Sequence, residues 1–345
     1  MIHILDYDTE EIKGWFTDGD VLDDIHKKSL ENTLETYEFI TSGDHKYAEY
    51  LTGKNRLIIP DEDGSQLEFE IKEVVKTKSR SSKIRVLSSA SYLNLKHAKV
   101  IRPTRLEGYT PSTIAGWTLD DTGWRVGVVE SNATRTFDIE NVTNPYNFLK
   151  TIANEFDLEL RFRVEHDGNK ITGRFVDLLE RVGDWQGREV EFGTDLDRIK
   201  RTEKTDNIVT ALVGLGPEQS DGTRLEVVVK DEEALQRWGR RENGELKHLW
   251  DYYEPQSTRI DMTVEELEQY TRTELNKRIN EVVTYEANII DLENVPGLEN
   301  KKIRFGDTIK IKDTKFNPPL YLEARVFEQE RSIFRKSRKK IKLGD

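Results

Sequence analysis

The chain has 345 residues and a formal charge of −12, with 34% charged and 35% hydrophobic residues, a balance typical of a soluble, well-hydrated protein. The absence of cysteine excludes a disulfide framework, thiolate metal sites and a cysteine nucleophile, and the acidic total argues against wrapping nucleic acid through phosphate neutralisation. At about 150 residues per domain, the length predicts two or three structural units.

Residues 1–100 have mostly the period-two alternation of half-buried strands. Leu67, Phe69 and Ile71 alternate with glutamates, and a second alternating stretch follows around residues 84–86. Residues 60–64, Pro-Asp-Glu-Asp-Gly, predict a hairpin turn ahead of the first of these strands. The segment 29–41 favours a strand by its Thr, Tyr, Phe and Ile content, with a helix as the alternative.

From about residue 103 the sequence predicts a mixed segment of helix and strands. Asn144-Pro145 has the order of an N-cap followed by a first-turn proline, so a helix is expected near residues 145–156. Alternation from Leu158 to Val164, a turn at 166–169 and a returning stretch predict a hairpin over residues 158–178. Further strands are predicted at Ile208–Val213 and Leu225–Val229.

Residues 231–284 are highly charged and predict a helical insertion, in which Thr263 and Glu266 form a capping-box pattern. Residues 285–345 then return to alternation, most clearly at Ile309 and Ile311 and between Leu320 and Val326. The stretch 331–342 is strongly basic. This basic stretch has two interpretations, a contact with a phosphate backbone and a solvated terminal strand. The sequence favours the solvated strand.

The six histidines do not suggest a metal site, since none lies three or four residues from another and no H-E-x-x-H occurs. We interpret His166 as a solvated residue of a turn and His248 as a solvated residue of the charged helical stretch. The six residues are His3, His26, His45, His97, His166 and His248. A zinc hydrolase would have to assemble its site from distant segments.

Other patterns with chemical potential are equally weak. Adjacent acids such as Asp23-Asp24 point to opposite faces of a strand, so they do not form a two-carboxylate site. Residues 61–64 resemble the opening of a calcium loop but lack its other ligands, and Gly214-Leu215-Gly216 is followed by proline rather than by a helix. The sequence therefore predicts no catalytic residue, no cofactor or cofactor-binding residue, and no metal-binding residue.

Tryptophan is the remaining candidate for recognition, because its flat face suits a sugar ring. A carbohydrate-binding module would place several tryptophans on one open face, whereas core or interface anchors would be buried or at subunit contacts. The second interpretation fits a chain with so little aliphatic content better. The tryptophans concerned are Trp15, Trp117, Trp124, Trp185, Trp238 and Trp250.

Three stretches in order resemble a known family. They are residues 122–127 (TGWRVG), residues 181–214 beginning RVGDWQGREVEFG, and residues 284–326 with TYEANIIDL, FGDTIKI and LEARV. Their order and spacing resemble the phage minor structural protein family, also called prophage tail endopeptidase or the N-terminal region of tail-associated lysins, over nearly the whole chain. Gly183, Gly187 and Gly306-Asp307 in these stretches are typical of turns next to strands.

The resemblance implies a fold similar to the baseplate hub proteins of contractile-tailed phages. That fold is α+β and mostly β, with two barrel-like domains built from non-contiguous segments plus helical or mixed insertions. In this chain it implies an N-terminal β-barrel domain at 1–100, a mixed domain at 101–190 and strands returning to the barrels at 191–230. A charged helical insertion at 231–284 and C-terminal strands at 285–345 that complete the second barrel would follow.

The resemblance further implies a virion protein of the phage tail tip, made in the cytoplasm of the bacterial host. Its expected partners are two further copies in a homotrimer, the hexameric distal tail protein, the tape measure protein, and a tail fibre or lysin. DNA would pass only transiently through the lumen, and no membrane insertion is expected. The family name implies an endopeptidase, so a peptidoglycan endopeptidase within this chain is the alternative, and a carbohydrate-binding receptor module the weaker one.

Overall fold

The computed structural model describes residues 1–30, 35–191, 196–218, 222–255, 262–280, 282–289, 302–313, 320–335 and 338–344. Strands dominate these residues, and α-helices are few. The strands are β1 Ile2–Leu5, β2 Ile12–Phe16, β3 Val21–Ser29, β4 Thr36–Ser42, β5 Arg56–Pro60, β6 Gln66–Lys78, β7 Ser82–Ala90, β8 Thr104–Tyr109, β9 Arg125–Val129, β10 Arg135–Ile139, β11 Glu159–His166, β12 Ile171–Leu179, β13 Trp185–Glu191, β14 Leu196–Lys204, β15 Ala211–Glu218, β16 Arg224–Lys230, β17 Arg240–Glu242, β18 Glu245–Lys247, β19 Trp250–Tyr253, β20 Val282–Ile289, β21 Thr308–Asp313, β22 Leu320–Arg331 and β23 Lys339–Gly344. The helices are α1 Leu95–Ala98, α2 Pro111–Leu119, α3 Pro145–Glu155, α4 Glu232–Trp238 and α5 Val264–Arg278.

Strands β4 and β7 follow the predicted alternation of more and less buried residues. In β5 and β6 three consecutive residues are buried, including Glu68, whose carboxylate accepts hydrogen bonds from Arg174. Strands β5 and β6 form the hairpin around residues 60–64, with Pro60 opposite Gln66 and Gly64 at a φ of +85°. Phe69, Ile71 and Val86 are buried in the same core. The strand expected within residues 29–41 is present as β4 after Thr36, while residues 31–34 lie outside the described part of the chain.

One sheet joins the beginning and the end of the chain. In the described residues it contains sixteen strands, and its main path runs β14-β20-β23-β22-β3-β4-β7-β6-β11-β12-β9. Strand β3 pairs antiparallel with β22, and Ser29 lies opposite Glu328. The fold is therefore α+β and mostly β, and its sheet is built from non-contiguous segments, as expected.

The predicted helix and hairpin of the mixed segment are confirmed. The Asn144 side chain accepts a hydrogen bond from the Asn147 N–H at 3.0 Å, and Pro145 occupies the first turn of α3. Strands β11 and β12 pair from Glu159 opposite Leu179 to His166 opposite Ile171. The apolar face of α3 joins the same core as the N-terminal strands, which ties this segment to residues 1–100.

Two expectations for the middle of the chain are wrong in part. Strand β14 enters the large sheet beside β20, but β15 and β16 form a separate three-stranded sheet with β19. The stretch 231–284 is not helical throughout, because β17, β18 and β19 lie between α4 and α5. Strand β19 is held by parallel pairing with β15, a distant contact that outweighs the local charge pattern. Residues 208–210 precede β15 rather than belonging to it.

Helix α5 starts as its sequence predicts. The Thr263 hydroxyl accepts from the Glu266 N–H at 3.2 Å, and the Glu266 carboxylate accepts from the Thr263 N–H at 2.9 Å. The helix packs on β15 and β16, so the three-stranded sheet has one covered face. Within the described residues, no helix is both long and apolar enough to cross a membrane.

The C-terminal strands enclose a second core. Alternate residues of β21, β22 and β23 are buried, as their periodicity predicts. The members of this core are Val190, Tyr285, Ile303, Ile309, Ile311, Ala324, Val326, Ile341 and Leu343.

Candidate functional site

The histidines are dispersed, with one pair brought together. The rings of His3 and His166 lie 5.4 Å apart, and burial and the proximity of His166 lower the pKa of His3. His248 is not solvated as expected, because its side chain is 11% exposed and its Nδ1 lies 2.9 Å from the Thr210 hydroxyl. Among the described residues, no three His, Asp or Glu side chains are grouped to hold a metal ion.

A cluster of buried charges lies where β3 meets β22, and we call it the N–C junction. Its members are His26 and Lys28 of β3, Glu35, Asp61 of the hairpin turn, and Arg331 of β22. The Lys28 Nζ lies 2.6 Å from Asp61 and 3.7 Å from Glu35, and the His26 Nε2 lies 2.7 Å from Glu35. Arg331 donates to the Pro60 carbonyl at 2.9 Å and lies 3.3 Å from Asp61. These contacts join residues about 270 positions apart in the chain.

The basic end of the chain extends this junction. Lys339 is 5% exposed and donates to Glu62, and Gln329 donates to the same carboxylate at 2.9 Å. Arg338 and Arg335 pair with Asp23. The expectation of a solvated terminal strand is therefore wrong for Lys339 and Arg331, whose charges are buried against acids of the N-terminal hairpin.

Neighbouring charges set the ionisation of the N–C junction. Burial alone would raise the pKa of Asp61, but Lys28 and Arg331 outweigh it and hold that pKa well below its ordinary value. The pKa of Glu35 is lowered in the same way, since Lys28 and His26 overcome the effect of burial. For His26 burial dominates, so its pKa is lowered although Glu35 favours the charged ring. A neutral His26 thus donates from Nε2 to a charged Glu35.

The N–C junction should make stability depend on pH between 7 and 5.5. In this range the unfolded chain protonates His26 near its ordinary pKa of about 6.5, while the folded protein keeps it neutral. The unfolded state then binds more protons, so stability falls by about 1 kcal/mol on acidification. Urea unfolding of His26→Gln at both pH values should show the loss reduced by about 1 kcal/mol, and any remainder in the same direction is expected from His3, whose pKa is also lowered by burial.

The exposed His97 provides the matched control for this measurement. A His97→Gln variant should keep the pH dependence of the parent protein, because a side chain in water has no buried partner. The carboxylates Glu35 and Asp61 add their own loss of stability only at lower pH, below the ordinary pKa values of about 4 for such groups. A parental slope in His26→Gln would contradict the assignment.

A second junction brings together two glycine turns that are distant in sequence. Gly183 and Gly306 both have a φ of +86°, and a Cβ on either would lie less than 3.0 Å from backbone atoms of the other turn. The Asp184 N–H donates to the Asp307 carboxylate at 2.9 Å, and the Thr308 N–H donates to the Asp184 carbonyl at 3.1 Å. The two turns form one contact, which we call the glycine contact.

Arg325 completes the glycine contact. Its guanidinium forks onto the Glu159 carboxylate, with Nη2 at 2.6 Å, and also donates to the carbonyls of Val182 and Gly306 at 2.6 and 2.9 Å. Glu159 in turn accepts from the Val182 N–H at 2.7 Å. Arg325 thereby connects the β11–β12 hairpin to the C-terminal strands, next to the hydrogen bond from Arg181 to the Thr308 hydroxyl.

A cavity of about 730 Å³ lies between the N–C junction and the glycine contact. Lys28, Glu35 and Asp61 line one side, and Glu159, Arg181 and Arg325 line another. The described lining contains eight acidic and eight basic side chains, so its charge selects neither a cation nor an anion. Some of these charges pair across segments of the chain, as Lys28 does with Asp61 and Arg325 with Glu159.

The tryptophans do not share one open face in the described structure. Trp124 is 8% exposed and packs edge-on against Phe162, and Trp117 packs against Phe148, as core anchors should. Trp15 and Trp250 are exposed, but the first belongs to the large sheet and the second to the three-stranded sheet. The side chain of Trp185 lies outside the described part.

Sequence reasoning missed the members of both junctions. Lys339, Ile341 and Leu343 alternate on one face of β23, and the burial of the last two is the signal that Lys339 is also buried. For Gly183 and Gly306, the sequence indicates two turns but not their contact. The pairing of turns 123 residues apart has no local signature.

Two regions of the chain match known protein families. The chain matches a family model described as prophage endopeptidase tail over residues 186–345, and a second, described as prophage endopeptidase tail domain, over residues 101–173. The two ranges cover about two thirds of the chain and include the turn at Gly306, but not the turn at Gly183. These two regions belong to the prophage endopeptidase tail families. No curated protein matches this prophage tail sequence.

Solved prophage tail proteins share its fold over the full length. The 43 kDa tail protein of prophage MuSo2 from Shewanella oneidensis has a TM-score of 0.66 at 14% identity, covering 99% of this chain and 97% of that one. A tail protein from Neisseria meningitidis has a TM-score of 0.65 at 14% identity, covering 100% and 96%. Prophage tail protein gp18 from Listeria monocytogenes has a TM-score of 0.63 at 13% identity, covering 100% and 94%.

More distant similarity extends the fold beyond phages. The E. coli c3393 protein, a type VI secretion component described as similar to the T4 tail proteins gp27 and gp5, has a TM-score of 0.50 at 11% identity, covering 94% of this chain and 72% of that one. At such identities the likeness concerns the fold alone. This prophage tail family member therefore has a hub-like fold, as expected.

Proposed function

We propose that this chain is the structural hub of a phage tail tip, assembling as a trimer beneath the hexameric distal tail ring. The observation that carries the proposal is the fold it shares, over its whole length, with prophage tail proteins. The likeness to a protein described as similar to T4 gp27 and gp5 supports the same role. The N–C junction and the glycine contact suit a component that must hold its segments together under load.

The arrangement of strands supports the proposed symmetry. Residues 1–100 and 285–345 contribute separate cores, one around Phe39 and Phe69 and another around Ile309 and Val326. Two barrel-like domains per chain, repeated three times, would present six similar lobes to a hexameric ring. Segments 101–190 and 191–230 also add strands to the large sheet, and segment 231–284 would form the periphery.

The charge of the chain suits a conduit for DNA. Like charges repel, so an acidic lumen would let DNA pass without adhering to it. With a formal charge of −12, three copies would carry a strongly negative total. The tape measure protein and a tail fibre or lysin would contact the two ends of this conduit.

Solution mass tests the proposal directly. Light scattering behind a sizing column, over a concentration series, should give a trimer near three times 40.2 kDa, alone or after addition of the distal tail protein. A mass of one chain at every concentration, unchanged by the tail ring, would refute the hub.

A peptidoglycan endopeptidase is the second candidate, because the matching family models carry that word in their descriptions. It predicts release of peptides from purified cell walls by the isolated chain. Digestion of walls would establish the enzyme, whereas intact walls together with a trimeric mass would favour the hub. Retention on a sugar column would instead support the carbohydrate-binding module.

A further inference from the structure

A basic hairpin projects from the acidic body of the chain. It comprises residues 72–85, the outer half of β6, the turn and the first half of β7, and we call it the basic arm. Six basic side chains and one acidic side chain give the basic arm a formal charge of +5, which leaves −17 on the rest of a chain whose total is −12. The basic side chains are Lys72, Lys76, Lys78, Arg80, Lys83 and Arg85, and all are exposed.

Only two of the six cations of the basic arm form ion pairs with residues that the structure describes. Lys72 pairs with Glu70 at 2.7 Å and Arg85 pairs with Glu38 at 2.6 Å. The other four cations make no ion pair with any residue that the structure describes, although they crowd around one turn. Such a cluster costs repulsion in the free chain, and an acidic partner would remove that cost. The four side chains are Lys76, Lys78, Arg80 and Lys83.

The basic arm also has an open strand edge. Up to Ile71, β6 is covered on the side away from β7 by β5 and by the hydrogen bond from the Ile71 N–H to the Asn55 carbonyl. Beyond Ile71, β7 is its only strand neighbour in the described structure. Val75 on this edge is 42% exposed. Unpaired backbone groups beside an apolar side chain are a template for contact with another protein surface.

We propose that the basic arm docks on an acidic surface of a second copy of this chain. The basic arm has a formal charge of +5 and the rest of the same chain has −17, which argues for a second copy of this chain as the partner. The open strand edge beside the exposed Val75 argues for a protein partner rather than a phosphate. The proposal rests on the proposed trimer and specifies what holds it together.

The geometry of such docking suits a ring. The basic arm of one copy would contact a different surface of the next, a head-to-tail interface that closes when the rotation per copy divides the circle. Attraction between exposed charges weakens with salt, since the screening length falls from about 14 to 6 Å between 0.05 and 0.3 M. The trimer should therefore dissociate more readily as salt is raised.

Charge reversal of the four unpaired cations tests this inference. The variant Lys76→Glu, Lys78→Glu, Arg80→Glu and Lys83→Glu should weaken trimer formation at least about tenfold by sedimentation equilibrium. The control reverses four exposed arginines that make no ion pair with the described residues: Arg102→Glu, Arg125→Glu, Arg237→Glu and Arg241→Glu. Both variants have the same total charge, so a difference between them reports position alone.

Each outcome decides between the two proposals. Loss of the trimer in the first variant and not in the control supports docking by the basic arm, provided that both variants keep the parental thermal midpoint. A trimer unaffected in both variants, or weakened equally, overturns the inference and leaves the hub intact. A parent chain that never trimerises overturns both. A further outcome is that the parent protein retards a short DNA duplex in a gel, and that the charge-reversed variant loses this binding while it still forms the trimer. In that case the partner of the basic arm is nucleic acid and the inference fails.

Discussion

The substitution Gly306→Ala should destabilise the protein by about 2 to 5 kcal/mol. Two costs combine here, because the residue has a φ of +86° and its new methyl group would collide with the Val182 carbonyl in the glycine contact. To avoid this collision, the turns at residues 183 and 306 must separate. Their separation would also stretch the hydrogen bonds from Arg325 to the Gly306 and Val182 carbonyls. Urea unfolding followed by circular dichroism measures the loss.

Gly64→Ala separates these two costs. Gly64 has nearly the same φ, +85°, but no atom lies within 4 Å of the position that its Cβ would occupy. Its substitution should cost only the backbone term, about 1 to 2 kcal/mol. An equal loss in both variants would mean that the close approach of the two turns contributes nothing to stability.

Lys28→Met should cost about 3 to 5 kcal/mol, because it leaves Asp61 and Glu35 in the N–C junction without their nearest cation. The Lys28 side chain is 13% exposed, so water replaces the lost partner poorly. Chemical denaturation at pH 7 provides the measurement, and the loss should be smaller in a background of Asp61→Asn, since one of the stranded charges is then absent.

The adjacent residue supplies the control for this comparison. Lys27 pairs with Glu330 at 2.9 Å, but both side chains are more than two fifths exposed. Lys27→Met should therefore change stability by no more than about 1 kcal/mol. Similar losses for Lys27→Met and Lys28→Met would show that burial of the N–C junction is not what makes its charges matter.

The parts of the fold that sequence predicts correctly are those governed by neighbouring residues. Asn144 and Pro145 start α3 through a hydrogen bond three residues away, and Thr263 starts α5 in the same manner. The turn at residues 60–64 and the alternation of β7 and β21 also depend on local geometry. Here the chemistry of a few adjacent side chains outweighs any distant contact.

The parts that sequence misses are those decided by distant partners. The aromatic run of β19 becomes a strand because β15 offers parallel pairing, and the partly buried His248 lies within hydrogen-bond distance of Thr210. Asp61 lies in a turn, as its sequence predicts, but its ion pairs are with Lys28 and Arg331, which come from β3 and β22. A pattern over ten residues does not contain such partners, so neither junction could be predicted.

The pairing of β3 with β22 has a consequence for synthesis of the chain. Ser29 leaves the ribosome about 300 residues before its partner Glu328, so for most of translation one edge of the N-terminal strands is unpaired. Contacts this distant in sequence form late and slowly. The N-terminal part of the sheet is therefore completed only after β22 has been synthesised, so any contact that requires the completed sheet forms after that point.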